Sequence, residues 1–297
     1  MQSAHVSQAD TPVAHVVKQD VAAERLMAEL ERLQALPSVA IEVIQKVDDP
    51  NSSARDVETV VSKDPTVAAR LFKLANSAFY ARGNKVSTIG DAVKKLGFKT
   101  IRNLAVAASA GQALSRPMLR YPFDELGLWK HSLGVGIALR VAAGEFSDLA
   151  VVRDELFLGG LMHDVGKLVL DPILSELDDS GPLTPQRERA LTGFDHSSVG
   201  LRIAETWNLP AHTADMIRMH HEIVPDHEHA KHAALVWVVD LLLNRAQLGL
   251  REVPTEVVPN PGALELLGLD ATSLGELDIA VRAEIPEVLS LCDALQS

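Results

Sequence analysis

Apolar residues recur at intervals of three and four along most of this chain, the spacing of helices that bury one face. The segment AAERLMAELERL places Leu26, Leu30 and Leu33 on one side, with Asp20 ahead of it as a candidate N-cap. Pro37 stands near the start of PSVAIEVIQKV, whose stripe is Val39, Val43, Ile44 and Val47. Ser53 with Asp56 forms a capping-box pattern, and Thr88 with Asp91 repeats it. Asp64-Pro65 is a start signal: Asp caps, and Pro at the first helical position loses no useful hydrogen bond. The helix after it carries Leu71, Leu74, Ala75 and Ala78 on one face. Gly97 closes the helix that follows Thr88, and another runs from about Thr100 to Leu114. Ser273 with Glu276 is read as the box opening the last helix.

The segment SRPMLRYPF (115–123) breaks the pattern, and beyond it the helices are apolar on more than one face, as buried helices are. The stretches 179–193, 224–229 and 253–262 are read as loops. No strand-period segment, internal repeat or low-complexity tract stands out. The fold class expected is all-α. Residues 1–19 are expected to be disordered, 20–114 to form a smaller helical lobe, 123–247 a His/Asp-rich helical core, and 248–297 a loop and helices packed on that core.

The formal charge of -12, from 28 Lys+Arg against 40 Asp+Glu, disfavours a polyanionic partner. The densest basic stretch, KKLGFKTIR at 94–102, reads as a solvated helix face, so no nucleic acid is expected. The single cysteine, Cys292, excludes an internal disulfide and suits a reducing compartment. The first twenty residues lack the basic start and apolar core of a secretory signal, and LVWVVDLLL is too short to span a bilayer. The expectation is a cytoplasmic protein without a membrane association.

Histidines and aspartates in the second half change the picture. His131 shares a face with Val135, Ala138 and Ala142; His163-Asp164 follow Gly159 and Gly160; His196 heads the stripe Val199, Gly200, Ile203 and Trp207. His220-His221 lie one turn past Met216 and Ile217, and Asp240 interrupts ALVWVVDLLL. Any one of these is more simply a core histidine bonded to a carbonyl. Several on separate helices, all facing inward, point to a shared polar pocket, because buried polar groups are costly unless paired or metal-bound. Imidazole and carboxylate donors suit zinc, iron, manganese and similar ions. Lys167 lies one turn beyond His163-Asp164. Ser109, Ser132 and Cys292 have no adjacent base, so no nucleophilic triad is read.

The order His…His-Asp…His…His-His…Asp resembles the HD superfamily of metal-dependent phosphohydrolases. Within it, LPSV, KDPTVAARLFKLANSAFY and IGDAVKKLG, followed by LWKHSL, GGLMHDVGKLVL, FDHSSVGLRIAETWNLP and MIRMHHE, resemble the HDOD domain of bacterial signalling proteins over roughly residues 25–245. The resemblance implies an HD-superfamily helical bundle preceded by a smaller helical lobe. It implies regulation through a signalling protein partner rather than turnover, and one or two divalent ions (Fe, Mn, Zn or similar). Carried over from the related HD-GYP cyclic di-GMP phosphodiesterases, His131, His163, Asp164 and Asp240 would surround one ion. Asp164 would bridge to a second ion held by His196, His220 and His221. Asp164 and Lys167 would be catalytic only in an enzyme, with Lys167 toward a substrate phosphate. His220-His221-Glu222 is followed by IVPDHEH, so the Gly-Tyr-Pro substrate loop of that family is missing. A metal-dependent phosphohydrolase or cyclic-dinucleotide phosphodiesterase remains the alternative, resting on the full ligand set. Arg218 and Lys167 are the cations within reach of such a phosphate. The interaction surface is expected at the seam of the two lobes, around Phe79, Tyr80 and Arg82-Gly83-Asn84.

Overall fold

The computed structural model describes residues 12–33, 38–81, 85–149, 152–177, 181–252 and 260–296. Within the described residues the regular structure is helical, and an isolated antiparallel bridge joins Phe123 to Leu250. The N-terminal part comprises α1 (Pro12–Leu33), α2 (Ser38–Asp48), α3 (Ala54–Val61), α4 (Pro65–Ala75), the single turn α5 (Ala78–Ala81), α6 (Ile89–Leu96) and α7 (Phe98–Leu114). The His-rich part comprises α8 (Gly127–Ala142), α9 (Arg153–Met162), α10 (Lys167–Ser175), α11 (Pro185–Thr192), α12 (His196–Thr206), α13 (Ala211–Met219) and α14 (Ala230–Arg245). Three helices follow: α15 (Pro261–Leu267), α16 (Ala271–Ala283) and α17 (Ile285–Gln296).

Local chemistry starts most helices where the sequence places them. Ser53 and Asp56 bond reciprocally at the head of α3, where the Ser53 amide donates to Asp56 Oδ2 at 2.8 Å. The Asp64 carboxylate accepts the Thr66 and Val67 amides at 2.9 and 3.1 Å. Thr88 Oγ1 accepts the Asp91 amide at 2.9 Å. Gly97, at φ 86°, turns α6 directly into α7, a conformation that an L side chain resists.

Three boundaries differ from expectation. Helix α1 begins at Pro12 rather than after Asp20, because PVAHVVKQD contains no interior breaker and its one proline falls in the first turn, where it is tolerated. Residues 1–11, also expected to be disordered, lie outside the described residues. The stretch 179–193 is not all loop: Thr184 accepts the Arg187 amide and Pro185 opens α11. The box at α16 is formed by Asp270 with Ser273, not Ser273 with Glu276, since Asp270 reaches the Thr272 and Ser273 amides at 3.0 and 2.8 Å.

Helix α7 is buried along nearly its whole length and touches α2, α4 and α6 on one side and α8 and α9 on the other. Tyr80 adds to this joint: its ring meets Phe157 edge-on at 6.1 Å, and the Arg140 guanidinium lies 4.5 Å above it. Tyr80 is therefore spent on joining the two halves and offers no surface, while Arg82-Gly83-Asn84 lie outside the described residues. Helix α1 packs on α10 and α11, and α17 spans α4 and α8.

Helices α8 and α9 share an extensive contact, and glycines allow their backbones to approach closely. A Cβ on Gly160 would fall 2.9 Å from the Gly136 Cα. The most demanding contact lies at Gly166, where an added Cβ would stand 2.0 Å from the His196 carbonyl oxygen. This glycine lets the His163–Gly166 turn press against the start of α12.

Asp171, buried on α10, organises the segment before α8. Its carboxylate accepts the amides of Leu119, Arg120 and Tyr121 at 2.7, 2.8 and 3.1 Å. Removing it takes the acceptor from three amides, of which that of Tyr121 is buried and those of Leu119 and Arg120 are partly covered. Asp171→Ala is expected to cost about 2–4 kcal/mol, by analogy with charge-assisted bonds and unsatisfied buried groups. Urea denaturation checks this, and a loss below about 0.5 kcal/mol would show that water replaces the carboxylate.

Candidate metal centre

His163 and Asp164 do not sit inside a helix, as the spacing suggests. Helix α9 ends at Met162, and residues 163–166 form the turn into α10. His220 and His221 likewise follow the end of α13 at Met219. His196 opens α12, while His131 and Asp240 project from within α8 and α14. Ends of helices free the backbone from its regular path, so side chains from five directions can meet. Asp195 fixes the start of α12 by accepting the Ser198 amide at 2.7 Å, which holds His196 at the first helical position.

The seven residues meet as two groups of nitrogen and oxygen donors. His131 Nε2 lies 2.8 Å from Asp240 Oδ1, and His163 Nε2 lies 3.6 Å from the same oxygen and 3.5 Å from Asp164 Oδ2. In the second group, His196 Nε2 stands 3.3 Å from His220 Nε2 and 2.9 Å from His221 Nε2. Asp164 Oδ1 faces this second group, 3.4 Å from His196 Nε2 and 3.9 Å from His220 Nε2. Asp164 thus touches both groups. His131, His163, Asp164, His196 and His220 are buried; His221 and Asp240 are partly covered.

Hydrogen bonds on the far ring nitrogens orient the imidazoles. His163 Nδ1 donates to the Gly160 carbonyl and His220 Nδ1 to the Ile217 carbonyl, each at 2.7 Å. His196 Nδ1 donates to Glu188 Oε2 at 2.7 Å. In each ring, when neutral, this leaves the Nε2 lone pair aimed into the cluster. His196 and His220 then present facing lone pairs 3.3 Å apart, an arrangement that repels unless a cation or a proton lies among them. His163 Nε2 and Asp164 Oδ1 have no hydrogen-bond partner despite complete burial. The residues present therefore fit a bound divalent ion in chemistry and in orientation.

Electrostatics prepare the same donors. Burial lowers His220 far below its ordinary range, and the neighbouring His221, His163 and His196 push it further. Burial and His196 take His221 down to about 3. Both rings stay neutral and keep their lone pairs at physiological pH. Burial alone would raise Asp164 and Asp240. Lys167, His163 and His196 hold Asp164 well below the usual carboxylate range, and His131 and His163 do so for Asp240. For Lys167, burial acts to lower the pKa, but Asp164 and Asp240 raise it, so the ammonium stays charged. Its Nζ donates to Asp164 Oδ2 at 2.6 Å and sits 5.5 Å from the ring centres of Tyr121 and Phe123.

Glu188 carries no mark of its role in the sequence pattern. It is buried on α11, accepts both the His196 amide (2.8 Å) and His196 Nδ1–H (2.7 Å), and takes a bond from Tyr121 Oη at 2.9 Å. A start signal, Thr184-Pro185, stands before it, but nothing in PQRERALT marks one acid among charged neighbours as buried. Arg218, named as a candidate phosphate contact, faces Asp215 instead, with Nη2 3.6 Å from Oδ1.

The family model that matches this chain is the HDOD domain, over residues 33–223. The all-helical bundle and its buried ring of histidines and aspartates thus sit within a defined class, and the chain belongs to the HDOD family. An uncharacterised protein of Treponema pallidum (strain Nichols) is 25% identical over 202 residues; the match covers 65% of this chain but only 38% of that protein. The fold is similar to that of an HDOD domain protein of unknown function from Geobacter sulfurreducens, with TM-score 0.64, 24% identity, and 93% of this chain and 98% of that one covered. It is also similar to a candidate signal transduction protein from Marinobacter aquaeolei VT8, with TM-score 0.68, 22% identity, and 95% of this chain against 66% of that one. A candidate metal-dependent phosphohydrolase of Shewanella amazonensis SB2B aligns with TM-score 0.58 and 19% identity, covering 89% of this chain and 99% of that one. Among the described residues no helix is long and apolar enough to cross a membrane.

Two predictions follow from the geometry. Glu188→Gln keeps the shape but removes the charge that fixes the His196 tautomer, and is expected to weaken divalent-ion binding about 10–100-fold. Competition with a chromophoric chelator measures this, and an unchanged affinity would show that the Glu188 charge does not tune His196 as a ligand. The second concerns pH. His220 and His221 take up protons near 6.5 when unfolded but resist them when folded, so between about 6.5 and about 3 the unfolded chain binds more protons. Stability therefore falls as the pH drops through that window. His163, whose raised pKa acts in the opposite sense, offsets part of the loss. The melting temperature of metal-free protein is expected to fall steadily from about pH 7.5 to about pH 5, and a flat profile would contradict the burial of neutral His220 and His221.

Proposed function

We propose that this protein is a bacterial, cytoplasmic signalling module of the HDOD type that acts by binding a partner protein, with a His/Asp centre that holds one or two divalent ions. His131, His163, Asp164 and Asp240 form the donors for one ion; His196, His220 and His221, with Asp164 shared, form the donors for the other. A divalent ion held there would supply Lewis acidity and positive charge toward phosphoryl oxygens. The residues of this chain do the rest: Glu188 orients His196, Lys167 balances Asp164, and the Tyr121 and Phe123 rings flank the ammonium.

The observation that carries the signalling reading is the position of Lys167. Its ammonium is already committed to Asp164 at 2.6 Å. A phosphodiester substrate needs several cations of its own, commonly in bidentate arrangements. Arg189, on α11, pairs with Asp195 at 2.9 Å and with Glu222. Arg218 faces Asp215. Together with the missing Gly-Tyr-Pro loop, this favours a centre that orders the helical core over one that turns over a dinucleotide. The second reading, a phosphohydrolase, draws on the completeness of the donor set.

Asp164→Ala separates the two. With manganese or iron supplied, wild type is expected to hydrolyse cyclic di-GMP no faster than a no-protein control. A folded Asp164→Ala variant is expected to restore the phenotype of a deletion strain. Hydrolysis by wild type at ordinary enzymatic rates, with both hydrolysis and complementation lost in Asp164→Ala, would establish the enzyme reading instead.

A further inference from the structure

Outside the buried centre, four further histidines gather at one place. Of the 11 in the chain, His212, His227, His229 and His232 lie together beside Asp215. His229 is their hub, its ring 6.2 Å from His212, 5.7 Å from His227 and 5.2 Å from His232. His229 Nδ1 stands 2.9 Å from Asp215 Oδ2, and His227 Nε2 stands 3.7 Å from the same oxygen. One donor atom from each of Asp215, His227 and His229 falls within 4.8 Å of the other two.

We propose that Asp215, His227 and His229 form a second site, separate from the buried centre, for a zinc-class divalent ion. Two imidazoles and one carboxylate suit zinc, nickel or copper; calcium and magnesium favour oxygen ligands throughout. The three side chains are 19–29% exposed, enough for an ion to enter and for water to complete its coordination. A plain ion pair between Asp215 and His229 is the simpler account of the 2.9 Å contact. It engages His229 and, at 3.7 Å, His227, however, and leaves unexplained why His212 and His232 crowd round them at a cost in desolvation. His232 Nδ1 is buried there without a hydrogen-bond partner, and His212 Nε2 lacks one too, its nearest carboxylate being Glu155 Oε2 at 4.0 Å, so the cluster holds more imidazole nitrogen than its own hydrogen bonds use.

The three ligands are not equivalent. Asp215 is set on α13 with its other oxygen toward Arg218, which leaves Oδ2 for the histidines. His229 is the residue that precedes α14. His227 Nδ1 accepts the His229 amide at 3.1 Å, which favours the tautomer with the proton on Nε2. Ligation through His227 Nε2 requires that proton to move and the amide bond to be released. Ligation through His229 Nδ1 also displaces the proton it shares with Asp215 Oδ2, but it gives up no backbone hydrogen bond, so Asp215 and His229 form the core of the site and His227 contributes less to affinity. An ion there would tie the middle of α13 to the start of α14 across the connection 220–229. That connection begins with His220 and His221, and α14 carries Asp240.

The test uses untagged full-length protein that has never met a metal resin, stripped with EDTA, returned to chelator-free buffer and titrated with zinc chloride against a chromophoric competitor. Asp215→Asn and His229→Ala are each expected to bind one equivalent fewer than wild type, with the remaining equivalents unchanged. His227→Ala is expected to keep that equivalent with affinity reduced roughly tenfold. Wild-type stoichiometry and affinity in both Asp215→Asn and His229→Ala would overturn the site. If either variant fails to fold, wild type answers directly by diethylpyrocarbonate footprinting with peptide mass spectrometry. Zinc is expected to protect His227 and His229 from modification, and equal modification with and without zinc would overturn the proposal.

Discussion

A buried carboxylate sets the terms for the His-rich half of this fold. Asp164 is 1% exposed, and its charge survives there only because cationic and polar groups surround it. Lys167 supplies the compensation through a 2.6 Å bond, and that bond joins the turn at 163–166 to the first residue of α10. The turn must in turn press against α12, which is possible because position 166 has no side chain. Charge compensation and close backbone approach are thus two halves of one arrangement. A larger residue at 166 would separate Asp164 from His196, and loss of Lys167 would take the ammonium from the buried carboxylate and leave the His163 and His196 imidazoles to balance it.

The helical class and most helix starts were legible from residues alone, because capping is local chemistry. Ser53, Asp64, Thr88 and Asp195 each need only amides two or three residues away. Inward placement of His131, His196 and Asp240 was legible for a similar reason, since each interrupts an otherwise apolar stripe. The pairing of the donors into two groups was not contained in periodicity; it came from a resemblance, and the distances now express it. Where several local signals competed, spacing alone misjudged the winner. Asp270 outranks Ser273 as a cap because its carboxylate takes two amides at once.

What stayed hidden depends on contacts across the fold. Glu188 looks like any surface acid in PQRERALT until α11 is laid beside α12 and Tyr121 arrives from a distant segment. Asp171 precedes a proline inside an apolar helix, and its worth lies in three amides about fifty residues upstream. Asp215 and His229 are likewise ordinary loop and helix residues in sequence; the path from α13 to α14 makes them neighbours. Each is a polar group whose partner no local window contains.

The two histidine clusters differ in a way that bears on how the molecule uses them. In the buried centre the carboxylates already have resident partners: Lys167 for Asp164, and His131 and Asn244 for Asp240, the latter two at 2.8 and 2.9 Å from Oδ1. Much of the charge is therefore balanced by the chain itself, and the helical core does not depend on an ion to offset its carboxylates. The uncompensated part is the set of facing imidazole nitrogens at His196, His220 and His221, which is where an ion or a proton relieves most repulsion. Those nitrogens hang from the end of α13 and the start of α12, not from the middle of rigid helices. Whatever occupies that space acts on the seam between α12 and α13, two helices in direct contact. Such a seam can pass a local change in charge to the packing of whole helices, which is a property a regulatory module can use without breaking any bond in a substrate.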